Sequence, residues 1–344
     1  MARRAGGARR DCITPLTALA LLAVPTTSLI DAIRSALLAG LRDGARMEPD
    51  ARTWEVDALV GLFRSGLPSL DRALRDTLPG LTTRVGGVYC HSRPKVSSSV
   101  GPCELGDLLV VRRYRNGDVV DDRALLLQTK TGTKITYPAP GAGTEYRQYR
   151  LYTEWPEFTY FGGLRRQIRP TRAHDGAQYG FIDVCENGCD HCHIVSARPP
   201  GRTGRSLESL LADVIVGSGG RKTTLPPRPG TTGWSRVVCD LLERSRAALY
   251  THARAGVGSG IPDAARRRTY NEQLFLVAGA QGLPDLMARE FRMAGFERPE
   301  QPLEPPDDDG GERRAPDHRP DGPLPVLVVE IDAGDAGDVD DDRR

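Results

Sequence analysis

Glu104-Leu-Gly-Asp107-Leu-Leu-Val-Val111, then Asn116-Gly117, then Ala124-Leu-Leu-Leu-Gln128-Thr-Lys130: this stretch decides how the chain reads. Two apolar runs flank Asn-Gly, a strong short-range signal for a β-hairpin. With Asn116 and Gly117 as the two loop residues, Asp107 lies opposite Leu126 and Leu105 opposite Gln128. Residues two apart share a face, as do directly opposed ones. Asp107, Gln128 and Lys130 therefore project to one side, and Glu104 to the other unless a bulge beside Gly106 re-aims it.

These groups suit a divalent cation beside a phosphodiester. Asp107 offers Mg²⁺ or Mn²⁺ a hard carboxylate oxygen and Gln128 a neutral amide oxygen. Lys130 can hold an attacking water and offset charge that builds in the transition state. The same residues also fit an amphipathic hairpin whose polar side chains merely face solvent.

At Asp107 and Gln128-Thr129-Lys130 the chain resembles the PD-(D/E)XK nuclease superfamily, in the Mrr-type form with Gln as the second ligand. It also resembles a group of uncharacterised bacterial proteins carrying Glu-Leu-Gly-Asp and Leu-Leu-Gln-x-Lys. The resemblance covers about residues 50–185. It implies an α/β (α+β) restriction-endonuclease-like fold, a mixed central sheet flanked by helices. It further implies a metal-dependent endonuclease of restriction or defence type acting on DNA or, less often, RNA. Asp107 and Gln128 would be metal ligands, Lys130 the catalytic lysine, and Glu104 a further candidate; Glu55 or Asp57 would supply an acid from an early helix. Gly106 stands where the motif usually has proline.

Around the hairpin, helical spacing predicts helices over residues 28–41, 53–64, 69–78, 234–253 and 284–294. Ser28 with Asp31 looks like a capping box. Further strands are expected over 85–90, 179–184 and 326–331, with loops over 198–205 and 217–233. The chain divides into a helical segment 1–80, a nuclease-like α/β domain 81–300, a disordered acidic linker 301–324, and a late strand with an acidic tail over 325–344.

Charge is unevenly spread. Residues 301–344 hold 14 acids against 5 Arg, a net −9, so residues 1–300 carry +11 of the overall +2. A basic body suits a polyanionic partner such as nucleic acid. Residues 146–158 interleave aromatics with bases. There Arg147, Arg150, Tyr152 and Trp155, with Lys95, are candidates for contacting a nucleic-acid strand, while Leu151, Trp155 and Phe158 also suit packing on the sheet. Seven unevenly placed cysteines argue against a secreted disulfide framework and for a reducing cytoplasm. Cys185, Cys189, His191 and Cys192 have the chemistry of a Zn²⁺ site, with Cys90, His91 or Cys103 able to complete it. The apolar run 13–24 after four Arg resembles the start of a signal peptide, but it is interrupted by Pro15 and too short to span a bilayer, so no membrane association is expected. Three readings stand: a nuclease, a non-catalytic nucleic-acid-binding protein on the same scaffold, and a zinc-stabilised interaction protein.

Overall fold

The structure is a computed structural model that describes residues 26–45, 59–90, 94–131, 143–161, 167–168, 176–182, 193–194, 205–254, 274–278, 284, 287 and 324–334. It is a mixed α/β fold. In chain order the helices are α1 (Thr26–Ala45), α2 (Leu67–Thr77), α3 (Gly143–Glu154), α4 (Leu207–Val216) and α5 (Gly233–Arg254). The longer strands are β1 (Thr82–Cys90), β4 (Leu108–Asn116), β5 (Val119–Thr131), β8 (Ala177–Ile182), β12 (Leu274–Ala278) and β13 (Val326–Asp332). The shorter ones are β2 (Lys95–Ser98), β3 (Cys103–Glu104), β6 (Phe158–Tyr160), β7 (Gln167–Ile168), β9 (His193–Ile194), β10 (Arg205–Ser206) and β11 (Arg221–Thr223).

The main sheet has strand order β11-β5-β4-β13-β1-β12, with β8 also pairing β5. It is mixed: β4 and β5 are antiparallel, while β13 lies parallel to β4 and β8 parallel to β5. Alternation along each strand sends one set of apolar residues to each face. Val85, Tyr89, Leu108, Val110, Leu125, Leu127, Leu327 and Val329 share a core with α1, α2 and α4. Val88, Leu109, Val111, Leu126, Val326 and Val328 share the other with α3, α5 and β6. The sheet is thus the middle of three layers, and the N-terminal helices belong to the same core as the strands. Gly86 and Gly87, which weaken the strand signal in the sequence, permit close approach: a Cβ on Gly87 would lie 2.6 Å from the Phe63 ring, and one on Gly86 2.6 Å from Pro284.

Several expectations change here. The hairpin loop is Gly117-Asp118, because Asn116 still pairs with Val119. Gly117 takes φ +53 at the first loop position, where its lack of a Cβ is needed, so Asn116 becomes the last strand residue. Helix α1 starts at Thr26, which puts Ser28 inside the helix; Asp31 pairs with Arg34 at 2.9 Å. The loop expected over 217–233 contains β11, which pairs with β5. Of the helix expected over 53–64, residues 59–64 are described; they enter a π-helical turn at Leu62–Gly66 that runs into α2. The expected 284–294 helix lies outside the described residues except for Pro284 and Met287, the 301–324 linker except for the buried Leu324, and the 13–24 run entirely. Among the described residues, no helix is long and apolar enough to cross a membrane.

The hairpin register is pinned by charge. Arg113 lies directly across from Asp122 and grips it at 2.8 Å through both Nε and Nη2, with both residues buried. Arg113 also donates to the Leu225 carbonyl at 2.6 Å. Next to it, fully buried Arg112 donates to Asp121 at 2.5 Å and to the Ile215 carbonyl near the C-terminus of α4 at 3.2 Å. A cation there is favoured by the helix dipole. Burial lowers the Arg112 pKa to about 10, against the pull of Asp121. Arg113→Met would leave Asp122 as a buried, uncompensated charge and lower the unfolding free energy by about 3–5 kcal/mol. The double replacement Arg113→Met with Asp122→Leu recovers most of that loss; urea unfolding of both variants measures it.

Candidate active site

The carboxylate of Asp107 sits where β4 begins. Leu108 pairs with Leu127, and the Asp107 N–H also donates to the Leu127 carbonyl at 2.8 Å. Two residues on one strand thus address one on the other, as in a β-bulge, which re-aims the side chain at that point. The bulge anticipated for Glu104 acts on Asp107 instead. Its carboxylate turns along β5, where Oδ2 accepts from Gln128 Nε2 at 2.5 Å, Thr129 N–H at 2.6 Å and the Thr129 hydroxyl at 3.2 Å. An ionised carboxylate is acceptor-only and takes all three.

Asp107 and Gln128 are both fully buried. Gln128 spends its amide nitrogen on Asp107, and its Oε1 has no hydrogen-bond partner. A buried amide oxygen with no protein partner is free to accept from a donor or to face a cation. Lys130 follows two residues later on the same side of β5, half-buried, in the segment that pairs with β8. The structure therefore joins Asp107 to Gln128 directly and sets Lys130 on the same strand face.

Glu104 is placed elsewhere. It belongs to β3, in a four-stranded sheet of order β3-β2-β6-β7, where it pairs across from Lys95. Its Oε2 accepts from Gln148 of α3 at 3.3 Å. Lys95 is exposed. On α3, Arg147 donates to the Pro102 carbonyl at 3.4 Å, and Arg150 is held by Glu154 one turn on. Tyr152 and Trp155 are buried, 3% and 4% exposed, so in this state they belong to the core and not to a nucleic-acid-facing surface. Glu55, Asp57, His91 and the residues Cys185, Cys189, His191 and Cys192 lie outside the described residues. Among the described residues, no group of three His, Cys, Asp or Glu side chains is placed to hold a metal.

Two residues act in positioning: Gln148, which the sequence reading did not single out, and Tyr152, which it assigned to nucleic-acid contact. The Tyr152 hydroxyl donates to the Leu105 carbonyl at 2.7 Å, and Gln148, one helical turn earlier, reaches Glu104. Together they pin α3 onto residues 104–105, immediately before Asp107. Gly106 is what allows it: a Cβ there would stand 2.8 Å from the Tyr152 hydroxyl and 2.7 Å from Leu126 Cδ1. The visible signal was Gln148 and Tyr152 at helical i,i+4 spacing within the aromatic-basic run.

The chain matches no protein-family model, no curated protein and no solved structure.

Burial pushes the Cys103 thiol, beside Glu104, up to about 12, with Arg147 pulling the other way. Burial also raises Cys90 well above the ordinary thiol value. Neither forms a thiolate near neutral pH, so both should resist iodoacetamide at pH 8 in the native protein and react on unfolding, as read by mass spectrometry. Because both folded pKa values are raised, their effect appears as lost stability once the pH climbs above 9. Tyr152→Phe leaves the buried Leu105 carbonyl without its phenol donor and lowers the unfolding free energy by about 1–3 kcal/mol, measured by chemical denaturation.

Proposed function

We propose that this protein is a metal-dependent nucleic-acid phosphodiester hydrolase with a restriction-endonuclease-like arrangement of Asp107, Gln128 and Lys130. The observation that carries this reading is the orphaned amide oxygen of Gln128 beside the Asp107 carboxylate. One carboxylate and one amide oxygen fit Mg²⁺ or Mn²⁺, which take hard oxygen ligands and complete their shells with water and substrate phosphate. When bound, the metal supplies charge neutralisation at phosphate oxygens and a more acidic water.

The chain's own residues do the rest. Asp107 fixes the Gln128 amide, so that its oxygen is the group left to offer. The Thr129 N–H and hydroxyl hold the carboxylate in turn. Lys130 supplies a cation that orients the attacking water and offsets charge developing on the phosphoryl oxygens. The mixed sheet with helices on both faces agrees with the fold this reading requires, and the +11 carried by residues 1–300 agrees with a polyanionic substrate, DNA foremost.

The complete burial of Asp107 and Gln128 favours a second reading, a nucleic-acid-binding protein in which the same hydrogen bonds serve structure alone. Plasmid nicking with Mg²⁺ or Mn²⁺ separates the two. The hydrolase reading expects metal-dependent cleavage that falls about 10²–10³-fold in Lys130→Ala. Equal cleavage by the variant overturns it; salt-sensitive binding with no cleavage in the wild type establishes the second reading.

A further inference from the structure

Asp107 and Gln128 are both 0% exposed, so in this state they are out of reach of a hydrated cation. Helix α3 lies over them. On one side it is bonded to the residues that precede Asp107: the Tyr152 hydroxyl donates to the Leu105 carbonyl at 2.7 Å, and Gln148 to Glu104 at 3.3 Å. On the other side it lies beside β8, the strand that pairs with Gln128 and Lys130, and its Leu151 and Tyr152 share a core with Ala177 of β8 and Leu126 of β5. A helix held at both of these edges crosses the start of β4 and the end of β5, where Asp107 and Gln128 stand.

Opposing forces hold α3 in place. Leu151, Tyr152 and Trp155 are buried, which favours the closed position. Against it, Trp155 follows the last helical residue at φ +44. It is the only non-glycine residue with positive φ among the described residues, and a bulky side chain is strained there. Its buried indole N–H has no hydrogen-bond partner, and neither does the buried Gln148 Oε1. Lifting the helix gives both groups to water and lets the Trp155 backbone relax. The other end of α3 is Gly143, at φ +63. Residues at the ends of an element are the ones that absorb the φ/ψ change of a hinge.

We propose that α3 is a lid over the Asp107–Gln128 pair, hinged at Gly143 and Trp155, which lifts as a unit while the main sheet stays intact. The lid deepens the hydrolase reading and rests on it for its purpose. A metal meets Gln128 Oε1 only in the lifted state, so its binding draws α3 open. Its apparent affinity is then reduced by the fraction of molecules that are closed. Weakening the clamp should therefore tighten metal binding, the reverse of what loss of a merely structural hydrogen bond would do.

The test uses the full chain and two readouts. Hydrogen exchange followed by mass spectrometry should show the amides of α3 exchanging together, about 10²-fold or more ahead of those in β4 and β13. Mn²⁺ alone is then titrated by calorimetry, the relevant site being the one lost in Gln128→Leu. Tyr152→Phe and Gln148→Ala should each speed α3 exchange and tighten Mn²⁺ binding about tenfold, while Glu243→Gln, an exposed change on α5, alters neither. Tyr152→Phe removes a single oxygen, so it carries the test even if Gln148→Ala loses its fold. Exchange of α3 no faster than that of the sheet, or Mn²⁺ binding that is unchanged or weaker in Tyr152→Phe, overturns the lid. Should α3 open ahead of the sheet while neither the wild type nor Tyr152→Phe binds Mn²⁺ at Gln128, the hydrolase reading falls and the movable cover stands.

Discussion

The register of the β4–β5 hairpin is the constraint on which the candidate site depends. A slip of one residue would send Gln128 and Lys130 to the opposite face and bring Arg113 and Asp122 out of line. The charge pairing extends across the sheet. Arg84 of β1 lies opposite Glu330 of β13, Glu330 opposite Arg113 of β4, and Arg113 opposite Asp122 of β5. Signs alternate across four strands, with Glu330, Arg113 and Asp122 buried. Apolar contact alone is indifferent to which valine meets which leucine. A buried row of charges is not, since any misalignment strands an ion in a low-dielectric interior.

That row lies toward the hairpin tip, and Asp107 lies at the other end of the same strands. Between them runs an apolar belt of Val88, Val328, Val111 and Ala124. The sheet is therefore polar at both ends and apolar in the middle. At the hairpin-tip end Arg113 grips Asp122, and Asp121 is shared by Arg112, Arg123 and Lys222. At the other, Gln128 retains an unmet oxygen, and α3 is clamped down beside it by Tyr152.

Much of this was legible in the sequence, for identifiable reasons. Asn-Gly announced the hairpin, and although the loop moved on by one residue on each strand, the shift in pairing kept parity. Gln128 and Lys130 thus stayed on one strand face, and the extra hydrogen bond of Asp107 to Leu127 brought Asp107 onto Gln128. Helices α1 and α5 followed their apolar spacing: Ile33, Leu37, Val237, Val238 and Leu241 are all buried. Helix α4 was missed, although Ser206 caps it by accepting from the Ser209 N–H and Gly217 ends it at φ +82. The Pro/Gly-rich loops on either side drew attention away from its short apolar pattern. Strands β2, β3 and β6 are two to four residues long, below the length at which a period of two can be distinguished from chance. The placement of Glu104 depended on those strands, so its separation from Asp107 was not readable from local pattern.

Strand β13 sits between β1 and β4, parallel to one and antiparallel to the other. The hairpin and the first strand therefore do not touch along their length until Val326–Asp332 slides between them. During synthesis, residues 82–131 leave the ribosome with an open slot at the centre of their sheet, closed only after the sequence-distant Val326–Asp332 has followed. Assembly of this kind is non-local and slow. It also means that a chain stopping before Val326 lacks the wedge that holds the hairpin in place, so any reactivity housed at Asp107 would be withheld from it.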